Sequence, residues 1–340
     1  YHFDLPQILQ DLGGWTNPLV VDWFADYARV VFTLFGDRVK WWLTINEPVV
    51  SCDLSINSGI LAPGYVSPEV GTNLCSKYTL LAHAKAWRIY DEEFRARYQG
   101  KVSIANHLVW FQPITEADEE LAELNGRYAH PIYSKAGDWP PSVEQALREV
   151  SLKRGYSKST LPSFTQEEIE LIRGTYDFFS MNHYTSRLVR KAKPGEQFRP
   201  WPLGLSTQFL LYVPQVNPEG LRNVLVWLKQ QYGDVEIIIT ENGLSTHEGL
   251  DDQDRVNYYR DYLRQVLLAI KQDGVNVTGY TAWTIMDNFE WMDGYTVKFG
   301  LYEVDYSDPR RTRTPRASAR YYADVIRRHV LDGPTRQDEL

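Results

Sequence analysis

An α/β fold of the (β/α)8 barrel class, with this chain covering about the last six βα units, is predicted by three observations. Apolar runs of strand length alternate with amphipathic helical stretches along all 340 residues, the pattern of a parallel sheet built from βα units. No Ser/Gly-rich linker or charge run divides the chain, so residues 1–340 read as a single domain. Two of the strand-like runs end in a glutamate wedged against turn residues, at the strand ends where a barrel assembles its chemistry.

Six strands are expected in order: a stub at Tyr1 to Asp4, then Trp41 to Asn46, Val102 to Trp110, Tyr176 to Tyr184, Glu236 to Thr240 and Thr278 to Ile285. Helical patterns lie between them at about Pro18 to Phe35, Asn73 to Tyr98, Glu116 to Tyr133, Pro218 to Tyr232 and Asp252 to Gln272, with a last one near Pro315 to His329. Asn17-Pro18 and Asn217-Pro218-Glu219 are cap-then-proline starts, where the missing proline amide costs nothing. The long stretches Arg187 to Val216 and Asn288 to Asp305 read as loops after strands. Six units are two short of a closed barrel, and an open piece leaves two sheet edges unpaired. The expectation is therefore a catalytic barrel domain lacking its N-terminal strands, the last three quarters of something larger.

Composition excludes several function classes. With 43% hydrophobic and 14% aromatic residues, the chain can bury one barrel-sized core. A net charge of −8 lacks the basic face that a nucleic acid or an anionic membrane surface requires, so neither partner is expected. No run approaches the ~18 to 20 apolar residues of a membrane span. No signal peptide pattern opens the chain, which starts on Tyr1-His2-Phe3-Asp4 as if in the middle of something.

Cys52 and Cys75 are too few for a disulfide scaffold and lack zinc-site spacing; one loop-closing disulfide and two free thiols both fit. His83 falls on an apolar helix stripe and reads as structural. His107 and His130 have no neighbours that make a metal or relay constellation, and they receive no role. No metal or cofactor is predicted. Asn276-Val277-Thr278 is the one glycosylation sequon, and the chain ends Gln337-Asp338-Glu339-Leu340, differing from an endoplasmic-reticulum retention signal at its first position. Both suit the secretory pathway, as a secreted or lumenal protein, while an ordinary acidic tail remains the alternative.

The chemistry is carried by Glu47, in Thr44-Ile45-Asn46-Glu47-Pro48, and Glu241, in Thr240-Glu241-Asn242-Gly243. Cleaving a glycosidic bond needs one carboxylic acid to protonate the leaving oxygen and a second carboxylate to attack or stabilise the anomeric carbon. Asn46 and Asn242 flank the pair with amides able to hold a sugar hydroxyl or orient a carboxylate. In a retaining mechanism the carboxyl groups lie about 5 to 5.5 Å apart, so the charge of one raises the pKa of the other. A strand-end glutamate can also be a structural ion-pair member, and that reading weakens when two sit in matching contexts.

Five ordered motifs resemble glycoside hydrolase family 1, the retaining β-glycosidases, from the first residue to about His329. They are the two above, Tyr1-His2-Phe3-Asp4-Leu5-Pro6-Gln7, Asn182-His183-Tyr184, and Trp283-Thr284-Ile285-Met286-Asp287-Asn288-Phe289-Glu290-Trp291. The resemblance implies a TIM barrel in which Glu47 is the general acid/base and Glu241 the nucleophile that forms a glycosyl-enzyme intermediate. It implies that Asn46 binds the sugar 2-hydroxyl, with Asn182 in the same substrate site, and that Tyr184 hydrogen-bonds Glu241. His2, Glu290 and Trp291 would grip the remaining hydroxyls, Trp283 would form an apolar floor, and Phe299 would flank the glycone or aglycone. For Trp283, Trp291 and His2 the competing reading is plain core filling.

In the family, the first two strands supply a glycone-binding glutamine and an arginine that pairs with the nucleophile, and neither strand is expected here. Phe3 stands where relatives have tryptophan, and Pro214 where many have an aglycone-stacking tryptophan. Retention of Glu290 and Trp291 resembles members that take an unphosphorylated sugar, so the expected substrate is a small β-glucoside, a β-fucoside-like glycoside or an oligosaccharide. Asp11-Leu12-Gly13-Gly14-Trp15 and Asp308-Pro309-Arg310-Arg311-Thr312-Arg313-Thr314 resemble animal members, insect ones in particular, among which thioglucosidases occur. A non-catalytic, klotho-type binding protein is the other class; such relatives typically lose a catalytic glutamate, and this chain keeps both. An inactive fragment and a homodimer are left open.

Overall fold

A computed structural model describes residues 1–113, 126–189, 216–247 and 249–332. The central element is a five-stranded parallel sheet. Its strands, in chain order, include β1 (Trp41–Asn46) and β2 (Lys101–His107), while β3 (Trp110–Pro113) lies outside it. Next come β4 (Phe179–Asn182), again in the sheet, and β5 (Ser186–Val189), which pairs in parallel with β3. The sheet is completed by β6 (Ile237–Asn242) and β7 (Val277–Ala282), giving the spatial order β1-β2-β4-β6-β7. A third, antiparallel pair is made by β8 (Tyr302–Val304) and β9 (Arg313–Pro315).

The strands form where the apolar runs predict, because a parallel strand covered on both faces must be apolar almost throughout. Val102, Ser103, Ile104, Ala105 and Asn106 of β2 are all buried. Edge strand β1 is different: Trp41 and Leu43 are 47% and 39% exposed while Thr44 and Ile45 are buried. The expected stub at Tyr1 to Asp4 is not a strand. Its first residue does run beside β1, donating to the Thr44 carbonyl and accepting from the Asn46 amide at 2.8 Å each. Pro6 then opens the helix Gln7–Asp11, which ends the ladder after one residue.

Helices Val20–Phe35, Val70–Ile89, Pro218–Tyr232, Gln253–Lys271 and Ala317–Arg328 cover the sheet where periodicity places them. The Asn217 side chain caps the third of these through the Gly220 amide, with Pro218 in the first turn. Besides the short helices Gln7–Asp11 and Ser55–Ser58, two longer ones have no counterpart in the sequence reading, Pro141–Lys153 and Gln166–Ile172. Their signals are nonetheless local: Pro141 in a first turn, and a Thr165/Glu168 capping box. The run expected to be a helix at 116–133 falls partly outside the described residues, and its described end forms the short helix His130–Tyr133. Pro214, the C-terminal Gln337 to Leu340 and most of the loop expected at 187–216 also lie outside them.

Cys52 and Cys75 form a disulfide, both fully buried. It ties the helical turns Val49–Leu54, which directly follow Glu47, to the helix Val70–Ile89. Among the described residues, no helix is long and apolar enough to cross a membrane.

Candidate active site

The C-terminal ends of the sheet strands place the candidate residues. Glu47 leaves β1 in the left-handed region at φ 50°, a conformation that costs a non-glycine residue energy and persists only where its surroundings enforce it. Here the enforcing contact is its amide, which donates to the Ala105 carbonyl of β2 at 2.8 Å. Its carboxylate is buried and accepts from the Asn182 amide at 2.8 Å and meets Nδ1 of His107 at 3.0 Å. Glu241 sits where the β6 register slips against both neighbouring strands, an irregularity of the kind that re-aims a side chain. It accepts from the Tyr184 hydroxyl at 2.6 Å and from the Asn46 amide at 3.2 Å.

Asn46 and Asn182 close the circuit. Asn182 donates to both Oδ1 of Asn46 at 3.0 Å and Oε1 of Glu47, and Thr240 fixes its own carbonyl oxygen at 2.6 Å. One hydrogen-bonded chain therefore runs Glu241, Asn46, Asn182, Glu47.

The outer residues join it through ring contacts. His2 meets the Asn46 carbonyl through Nδ1 at 3.0 Å and stands edge-on to Trp291, with ring centroids 5.4 Å apart. Phe3 also packs against that indole, with ring centroids 4.4 Å apart. Phe299 stands edge-on to Tyr184 at 6.1 Å. Glu290 is buried, and its Oε1 has no hydrogen-bond partner among the described residues. Trp283 is half-buried. Asn242, by contrast, spends its amide on the core: it donates to the His183 carbonyl and the Tyr258 hydroxyl and accepts from Tyr280.

Sequence reasoning missed His107. It lacks sequence neighbours that mark it, and only the pairing of β1 with β2 brings it to Glu47. Its imidazole also stacks at 18° on the Tyr184 ring. His83 is structural as expected, buried between the Thr44 hydroxyl and the Thr175 carbonyl. Among the described residues, no three His, Cys, Asp or Glu side chains are grouped to hold a metal ion.

The carboxylates are tuned in opposite directions. Burial foremost, and then the negative charge of Glu47, push Glu241 up to about 7, against hydrogen bonds from Tyr184 and Asn46 that favour its anion. Burial also acts against the Glu47 anion, but the charge and hydrogen bond of His107 and the amide of Asn182 outweigh it and hold Glu47 below the ordinary value. The surroundings thus favour the anion at Glu47 and disfavour it at Glu241. The resemblance assigns the reverse division, with Glu241 as the anion. The physical reason is local: among the described residues, the hydrogen-bond partners of Glu241 are the Tyr184 hydroxyl and the Asn46 amide, whereas Glu47 meets the His107 imidazole, whose own pKa that contact raises.

Glu290 is likewise pushed up to about 7, chiefly by burial. For a carboxyl raised by folding, the native state binds more protons than the unfolded chain between the two pKa values, so its contribution is full below about 4.5 and fades as pH rises through about 7. Thermal unfolding followed from pH 5 to 7.5 is expected to show the Glu241→Gln and Glu290→Gln variants losing less stability across that window than the parent. Equal slopes would contradict the assigned protonation.

The family model for Glycosyl hydrolase family 1 matches residues 1–331. The chain belongs to that family. Myrosinase 1 of Brevicoryne brassicae is 42% identical to it, over 96% of this chain and 73% of that protein. The solved structure of an aphid myrosinase matches with a TM-score of 0.89 at 41% identity, covering 96% of this chain and 74% of the other. A rice β-glucosidase mutant in a covalent complex with Glc matches with a TM-score of 0.82 at 31% identity, over 95% and 74%. This family 1 chain is a glycoside hydrolase with the (β/α)8 barrel architecture, and the expected resemblance to insect members agrees with the aphid match.

Proposed function

We propose that this chain is the larger part of a single catalytic barrel domain that hydrolyses β-D-glucosides or similar β-glycosides with retention. The observation that carries the reading is the hydrogen-bonded chain from Glu241 through Asn46 and Asn182 to Glu47, with Tyr184 fixing the second oxygen of Glu241. Glu241 attacks the anomeric carbon while the bond to the aglycone oxygen breaks, and that oxygen takes a proton from Glu47. Water then donates a proton to Glu47 as its oxygen replaces Glu241 on the sugar. Attack requires Glu241 to be ionised, a state that the family's arginine, carried on a strand outside this chain's resemblance, would favour.

Asn46, hydrogen-bonded to Glu241, would meet the sugar 2-hydroxyl, and Oε1 of Glu290, without a hydrogen-bond partner among the described residues, would accept from another hydroxyl. Trp283 would form the floor; His2, Asn182, Trp291 and Phe299 would complete the pocket. A thioglucoside is the second reading, favoured by the 42% identity to a myrosinase. The compartment we assign is the secretory pathway, supported by the buried Cys52–Cys75 bond, since disulfides persist in oxidising surroundings.

Incubation with a 2-deoxy-2-fluoro-β-glucoside bearing a good leaving group should add one fluoroglucosyl mass to the peptide containing Glu241. An unlabelled protein, or a label on another residue, would defeat the assignment. Parallel assays on an aryl β-glucoside and a thioglucoside separate the two substrate readings.

A further inference from the structure

Glu241 and Tyr184 are joined twice. Directly, the Tyr184 hydroxyl donates to Oε2 of Glu241 at 2.6 Å. Indirectly, they meet at Tyr258 of the helix Gln253–Lys271. The Tyr258 hydroxyl donates to the Tyr184 carbonyl at 3.0 Å and accepts at 2.9 Å from the side-chain amide of Asn242, the residue after Glu241. A closed ring therefore runs Glu241, Tyr184, Tyr258, Asn242. Tyr258 is itself held: it is almost wholly buried, and its ring stacks on Tyr262 with centroids 4.0 Å apart. The first turn of its helix is fixed by Arg255, which donates to the Leu244 and Gly300 carbonyls and pairs with Asp252. Tyr280 donates to the side-chain oxygen of Asn242 at 2.5 Å and sets the direction of that amide.

Resting on the glycosidase reading above, we infer that Tyr258 is a positioning residue for the nucleophile: its hydroxyl ties the strand end that carries Glu241 to the residue that aims its carboxylate. Glu241 lies where β6 slips in register against both neighbouring strands, so the sheet ladder alone does not set its direction. Tyr184 lies beyond the end of β4 and is likewise outside the ladder. The ring supplies what the ladder leaves open. Each group that bonds the Tyr258 hydroxyl also has a second partner. The Asn242 amide donates to the His183 carbonyl at 2.5 Å, and the Tyr184 carbonyl accepts from the Tyr262 hydroxyl at 3.4 Å. Removing the Tyr258 hydroxyl therefore opens the ring without leaving a buried polar group unpaired, which separates the aim of Glu241 from the folding of the chain. In-line attack tolerates little error, since a misplacement of about 1 Å costs on the order of a hundredfold in rate. Tyr258 reaches Glu241 through Tyr184 and Asn242, so its effect falls on the rate of attack and not on sugar binding.

The test follows the rate at which the 2-deoxy-2-fluoro-β-glucoside labels the parent, Tyr258→Phe and Tyr90→Phe. The last removes another buried hydroxyl, one that accepts from the Gly100 amide at the opposite end of β2 from the site. Tyr258→Phe should lower the maximal labelling rate roughly ten- to hundredfold while the concentration giving half that rate stays within about threefold. Tyr90→Phe should keep both values of the parent. In a Tyr184→Phe background, where the ring is already open, adding Tyr258→Phe should cost less than about threefold more. A Tyr258→Phe protein that labels at the parent's maximal rate, even if it melts lower, would overturn the inference; so would an undiminished loss in the Tyr184→Phe background. If the parent takes no label, the glycosidase reading fails separately, and fluorine NMR of the chain carrying 3-fluorotyrosine at position 184 decides. A resonance that moves in Tyr258→Phe and stays in Tyr90→Phe upholds the ring; one that Tyr258→Phe leaves in place, or that both variants move alike, refutes it.

Discussion

Glu241→Gln is expected to leave a folded protein that releases nitrophenol from a nitrophenyl β-glucoside roughly 10^4-fold more slowly than the parent, or worse, because removing a covalent nucleophile abolishes the route rather than one contribution to it. The amide is close in shape and can still receive the Tyr184 hydroxyl and meet Asn46, so the loss is chemical. Glu47→Gln should cost less on the same substrate, about 10^2 to 10^4-fold, since an aryl leaving group needs little proton and only the activation of water is impaired. Steady-state rates and the fluoroglucoside label read the two variants independently. Turnover by Glu241→Gln within tenfold of the parent would remove the nucleophile from residue 241.

The largest effect on stability is expected at Arg316 and Asp287. Both side chains are almost wholly buried, and they meet in two parallel contacts, Nη1 to Oδ1 at 2.9 Å and Nη2 to Oδ2 at 2.8 Å. The pair also organises backbone. Arg316 donates to the Gly300 and Gly249 carbonyls, and Asp287 accepts from the Gly300 and Val304 amides. Removing Arg316 leaves the Asp287 charge buried and unpaired, and removing Asp287 leaves Arg316 only the longer contact to Glu303 at 3.5 Å, so either change is expected to cost about 3 to 5 kcal/mol. Arg316→Ala or Asp287→Ala should therefore lower the midpoint of chemical denaturation sharply, whereas Arg327→Ala, whose partner Asp324 lies at the surface, should change stability by less than about 1 kcal/mol. The segment that Arg316 and Asp287 tie down carries Glu290, Trp291 and Phe299, so a surviving Arg316→Ala enzyme should show a raised KM. Equal denaturation midpoints for the buried and surface variants would refute the argument.

The Glu290 segment illustrates what was legible in advance. Its motif marked Trp283, Glu290 and Trp291 as sugar-site candidates, yet nothing in the residue order showed that Arg316, twenty-five or so positions further on, would anchor it. Such a pairing is set by β8, β9 and the following helix folding back. Likewise Tyr1 to Asp4 looked like a strand because its residues are partly apolar, and Pro6 together with the single available ladder position decided otherwise. The helices Pro141–Lys153 and Gln166–Ile172 escaped notice for another reason, since their local start signals were present but sat in a stretch to which no element was assigned.

By itself the sequence determined the alternation of strands and helices, the two glutamates at strand ends and the motif residues around them. These are local properties: apolar period, caps, and carboxylates placed beside turn-forming residues. Only the tertiary structure decided which groups surround each of the two carboxyls. Parallel pairing of β1 with β2 set His107, a residue with no marking in the sequence, against Glu47, while Glu241 received neutral partners. In a buried site the energy of a proton depends on which charges lie within a few ångströms, and that proximity is fixed by strand register, not by order along the chain.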